Sequence, residues 1–180
     1  MEHITIPEDL KDFSLEKHCF FDNSISLDLP DYMTFMTEES LRQHLVGQID
    51  SAVAMSSPHG DATFIFERQG LGASKITVDS FLEQERFIFN RLIPGYAEIG
   101  YGTKSINGIK VGCVQYKSNA VDKDMINIFF AFKTVDSIMY GLFTAPFEWS
   151  DIWTKIFIRC IETLRVDACT CFMQYNKAIS

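Results

Sequence analysis

Met125-Ile126-Asn127-Ile128-Phe129-Phe130-Ala131-Phe132 is the stretch on which the fold turns. Side chains alternate across a strand with period two. Ile126, Ile128, Phe130 and Phe132 therefore point one way, and Met125, Phe129 and Ala131 the other. Both faces are apolar, so the strand belongs in a sheet covered on both sides. The next strand repeats the theme, with Ile138, Tyr140 and Leu142 set against Met139 and Phe143. Upstream, Asn107-Gly108 tolerates positive φ at both positions and marks a tight hairpin. Four strands follow one another at about 96–104, 109–117, 125–133 and 137–144. Connections this short force antiparallel neighbours. The expectation is a four-strand meander.

Cover for its two faces must come from outside. Phe81, Leu82, Ile88, Phe89 and Leu92 form one stripe of a helix predicted over 78–92, capped by Thr77. Glu85 lies inside that stripe. A second helix follows Pro146, with Trp149, Ile152, Trp153, Ile156, Phe157, Cys160, Ile161 and Leu164 at helical spacing. Shorter strands are expected at 16–21, 24–29, 52–56 and 62–67, and a short helix after Thr37. No repeat or linker divides the chain, so residues 1–180 read as one domain. The fold class is α+β, an antiparallel β-sheet flanked by helices.

Composition narrows the function classes. The 180 residues carry a net charge of −8. Eleven acids and three bases fall within residues 1–50, and the remainder is neutral. Nucleic acid is excluded as a partner, because phosphate binding wants a basic face. No apolar run is long enough for a membrane span. The opening Met1-Glu2-His3-Ile4 has no basic and apolar leader pattern, which points to a cytoplasmic protein. Five cysteines are an odd number, and Cys169 and Cys171 lack the partners of a zinc set. Neither a metal nor another cofactor is expected.

Residue chemistry offers few catalytic combinations. Asp122 and Asp124 flank a lysine and read as a charged hairpin tip. His59-Gly60-Asp61 places an imidazole near a carboxylate but has the composition of a turn. A small hydrolase or metal-assisted enzyme would need His59, Asp61 and Glu85 to meet in one cleft. Glu85 is a candidate functional carboxylate in its own right: once buried, it needs a partner or its pKa rises. The alternative is binding. Should the helices leave part of the sheet bare, Met125, Phe129, Met139 and Phe143 would form a partner-binding surface. A homodimer interface is a third reading.

Order and texture resemble the PsbP-like superfamily, which includes photosystem II extrinsic proteins, Ran-binding Mog proteins and bacterial DcrB-like proteins. The resemblance rests on Leu29-Pro30-Asp31-Tyr32 at a strand end, the 78–92 helix before a long meander, and Tyr140-Gly141-Leu142-Phe143-Thr144. That last stretch leads into a helix ending Ile161-Glu162-Thr163-Leu164. It implies an α/β/α sandwich over residues 19–165, with an acidic irregular segment at 1–15 and a tail at 166–180. It also implies a non-catalytic adaptor or chaperone-like role toward a protein partner or apolar peptide segment. Some DcrB-like members chaperone apolar segments of secreted effectors.

Overall fold

A computed structural model describes residues 13–44, 52–68, 76–134 and 137–166. The meander is present with nearly the expected bounds: β6 (Ala97–Ile106), β7 (Ile109–Asn119), β8 (Asp124–Lys133) and β9 (Ile138–Pro146). Before it come β1 (Leu15–Phe20), β2 (Ile25–Pro30), β3 (Thr34–Phe35), α1 (Glu38–His44), β4 (Ala52–Ser56), β5 (Thr63–Arg68) and α2 (Val78–Leu92). After it a 3-10 turn (Phe147–Trp149) leads into α3 (Ser150–Ile161), and β10 (Arg165–Val166) follows. The tail from 167 onward and the acidic residues 1–12 lie outside the described residues.

Antiparallel pairing joins seven strands in the order β3-β4-β5-β9-β8-β7-β6. Asn107 and Gly108 both take positive φ, as the tight β6–β7 turn requires. A smaller sheet, β1-β2-β10, forms around the Phe21-Asp22-Asn23 turn. On one face of the large sheet, α3 and the β1–β2 hairpin lie side by side. Their Trp153, Phe157, Ile25, Leu27 and Leu29 share a core with Phe64, Phe66, Phe130 and Phe132. On the other face α2 covers Val114, Tyr116, Phe129 and Ala131. There α1 brings Leu41 onto Ala54 and Ile65. The α+β sandwich is thus as expected, with a strand hairpin completing one layer.

Small residues let the layers close. An added Cβ at Gly112 would overlap Leu82 and come within 2.8 Å of Val78 Cγ1, so this glycine sets how near α2 sits to β7. The α2 start is a capping box, in which Thr77 Oγ1 accepts from the Ser80 amide and Ser80 Oγ accepts from the Thr77 amide. Thr77→Ala should cost about 1 kcal/mol, read as a lower urea midpoint at unchanged slope. At the far end, α3 stops before the apolar stripe does. Thr163 Oγ1 donates to the Cys160 carbonyl and accepts from the Asp28 amide, which turns the chain toward β2. Leu164 stays buried beyond the helix.

Candidate functional site

The four residues expected as a binding surface do not form one. Pairing sets Phe132 opposite Met139 and Ile128 opposite Phe143, so Met139 and Phe143 face α3. Phe129 pairs with Leu142 and faces α2. Phe129, Met139 and Phe143 are 5%, 1% and 1% exposed, and Met125 is half-buried. Helices on both faces cover the middle of the sheet, which removes Phe129, Met139 and Phe143 from solvent and leaves Met125 half-buried.

The catalytic combination does not assemble either. His59 is exposed at the β4–β5 turn, where Gly60 has φ +68° and Ser57 Oγ donates to Asp61. Glu85 instead shares a cavity with Glu67, at the opposite end of β5 from Asp61. Thr63 to Glu67 alone is four steps of extended strand, about 13 Å, and Asp61 lies in the turn beyond Thr63. Asp124 pairs with Lys117 at 2.5 Å, the ordinary chemistry of a hairpin tip. Among the described residues no cluster of three or more His, Cys, Asp or Glu is placed to hold a metal.

The sheet's bare ground is at its β6 end. On the α3 side, Gly100 pairs with Gln115 and Gly102 with Cys113, so two successive positions of β6 carry no side chain there. Among the described residues, chain neighbours aside, nothing lies within 4 Å of a Cβ built on either glycine. The result is a groove of about 420 Å³ between β6 and α3. Its floor is the Gly100–Gly102 backbone with Cys113 and Gln115, and its wall is Phe157, Ile158 and Ile161. Ile158 projects away from the α3 core stripe and is 45% exposed. Two polar contacts bound the groove: Gln115 Nε2 donates to Thr154 Oγ1 at 2.9 Å, and Lys104 pairs with Glu162 at 2.8 Å. Burial pushes the Cys113 thiol up to about 12, which leaves it a small neutral hydrophobe in the floor.

Among the described residues β6 is also an edge strand, hydrogen-bonded to β7 alone. It is 10 residues long and mostly exposed, with Ile99 and Tyr101 open to solvent. A bulge between Glu98 and Gly100 interrupts its register. Its α2 side is pinned. The Arg86 guanidinium donates to both Glu98 carboxylate oxygens at 2.7 and 2.8 Å and lies 3.4 Å from the centre of the Tyr101 ring. Tyr96 adds a third hydrogen bond to Glu98. The arginine, chiefly, holds the Glu98 carboxyl below its ordinary range. One side of the edge is therefore anchored while the other opens on the groove.

Three signals for this groove stood in the sequence. Gly100-Tyr101-Gly102 removes side chains from one face of a strand, Ile158 is an apolar residue off the α3 stripe, and Ile99 and Tyr101 sit on an edge. None is specific until the strand order is known.

No protein-family model matches the sequence, and no curated protein matches it closely enough to indicate kinship. Solved structures do match. The cyanobacterial PsbP protein CyanoP of Synechocystis sp. PCC 6803 superposes with a TM-score of 0.64 at 10% identity, over 93% of this chain and 97% of that one. LpqN, involved in cell envelope biogenesis of Mycobacterium tuberculosis, gives 0.51 at 11% identity, over 86% and 91%. PA94, a Pseudomonas aeruginosa protein of unknown function, gives 0.50 at 12% identity, over 81% and 94%. Likeness at such low identity speaks for fold alone. The chain has the PsbP-like fold, an antiparallel sheet between two covering layers.

Proposed function

We propose that this protein is a non-catalytic binding module that holds an extended apolar segment of a partner protein along β6. The segment adds its backbone to the open edge of β6 and lays alternate side chains into the groove under α3. The observation that carries this reading is the coincidence of the two features: a strand edge that no described strand pairs, beside an apolar groove. Edge addition supplies affinity through main-chain hydrogen bonds, and the neighbouring pocket supplies specificity. The groove's two charged side chains pair with each other, so it offers an apolar segment no cost of burying an unpaired charge. An adaptor or chaperone-like protein would use such a site.

A labelled peptide matched to β6 in length, 10 residues, with alternating leucine and threonine, tests this by fluorescence anisotropy and amide NMR. Binding is expected with shifts confined to β6, β7 and α3. A proline-substituted copy, which lacks backbone donors, should bind about tenfold more weakly. Absence of binding, or shifts on the α2 face alone, overturns the reading. Light scattering that shows a stable dimer, with β6 protected from exchange in the free protein, gives the edge to a second copy instead.

A further inference from the structure

The opposite face of the sheet holds a second cavity, independent of the groove. It has a volume of about 230 Å³ and lies along the seam where α1 and α2 each cover only part of that face. Its walls are the rings of Phe89, Tyr116, Phe129 and Tyr140. Phe89 stands 5.2 Å from Tyr116 and 5.1 Å from Phe129, and Phe129 stands 5.8 Å from Tyr140. Two carboxylates, Glu67 from β5 and Glu85 from α2, open into it, and no lysine, arginine or histidine lines it among the described residues. Tyr140 donates its hydroxyl hydrogen to Glu67, which fixes that carboxylate and aims the phenol ring.

From this geometry we infer that the cavity binds an alkylammonium group, with a quaternary ammonium such as a choline head as the best fit. Aromatic faces attract a cation through their quadrupole, and the attraction grows as the cation loses water. Two carboxylates supply negative charge that no described base neutralises. A bare divalent cation is the wrong guest, because calcium takes six to eight oxygen ligands and magnesium wants an octahedron. A primary ammonium has three N–H groups to satisfy, and one of the carboxylates is already engaged by Tyr140. A quaternary ammonium has no N–H groups and needs only charge and ring faces. Glu85 is well placed to provide the charge. Burial alone raises its carboxyl above the ordinary range, and a bound cation would restore its ionised form.

The test is titration calorimetry on the full chain with three probes: choline, its neutral isostere 3,3-dimethylbutan-1-ol, and a peptide bearing trimethyl-lysine. Choline should bind about tenfold more tightly than the uncharged isostere. Glu85→Gln should lower choline affinity several-fold while the circular dichroism spectrum and urea midpoint stay within the scatter of the parent, and Phe89→Leu, which loses ring contacts with Tyr116 and Phe129, should do so with a native spectrum at a modestly lower midpoint. Tight binding of the peptide together with free choline assigns the site to a methylated chain, and binding of choline alone assigns it to a small metabolite. Equal affinity for choline and the isostere overturns the inference, as does no choline binding at millimolar concentration. Since the cavity and the β6 groove lie on opposite faces, the Gly102→Leu change argued below should leave choline binding intact. Failure of one site therefore leaves the other standing.

Discussion

Replacing Phe130 with alanine should destabilise the protein by about 3–5 kcal/mol, a large part of what typically holds a domain folded. Phe130 is fully buried in β8. Its ring lies 5.4 Å from Phe64, 5.2 Å from Phe66 and 5.6 Å from Phe157, so β5 and α3 meet through it. These neighbours belong to separate elements, each pinned by its own pairings, and they cannot collapse together into the space. The ring also overhangs Gly141, directly across the β8–β9 ladder, where an added Cβ would overlap it. Gly141→Ala alone should therefore cost about 1–3 kcal/mol by overpacking. Combined with Phe130→Ala it should cost less, because the ring is gone. It should not become free, because the Ile65 carbonyl oxygen still stands 2.5 Å from the new methyl group. Urea unfolding of the two single variants and the double variant measures this coupling. A neutral Gly141→Ala would mean that the ring moves aside at little cost, against the close packing described above.

The same pair shows why the fold was legible and the site was not. Alternation across 125–132 establishes a strand covered on both faces, whatever its partners, because period-two patterning is a local property. Thr77, Asn107-Gly108 and Pro146 mark starts and turns by equally local chemistry, and the helix and hairpin stand where they predict. Which side of a strand faces which layer is different. Met125 and Phe129 share a face within β8, and Met139 and Phe143 share one within β9. That these are opposite faces follows only from the register that sets Phe132 against Met139. The groove depends on strand order as well. Gly100 and Gly102 become a floor because β6 ends the sheet and α3 stops short of it. That Glu85 and Glu67 line one cavity depends on β5 lying beside β9, a contact between residues distant in the chain.

Gly102→Leu should abolish peptide binding in the groove, a loss of at least about tenfold, while leaving stability unchanged or raising it by about 0.5–1 kcal/mol. The position is in extended strand, and among the described residues, chain neighbours aside, no heavy atom stands within 4 Å of a Cβ built on its α3-facing side. A leucine there lies over Cys113 and reaches toward Ile158, filling the space that a ligand side chain would take. It removes glycine's entropy cost and covers apolar floor, both favourable to folding. This is the reverse of Gly141 and Gly112, where a methyl group meets packed atoms. A glycine retained only for folding would show its cost on replacement by a bulky residue. A glycine retained to keep a groove open would show no such cost, and would lose binding instead. The two are separated by measuring urea midpoint and peptide anisotropy on one preparation. Destabilisation without loss of binding would assign Gly102 to the scaffold and place the ligand elsewhere. Unchanged stability with lost binding is the expected pattern, and Gly100→Leu, two residues back on the same face, should reproduce it.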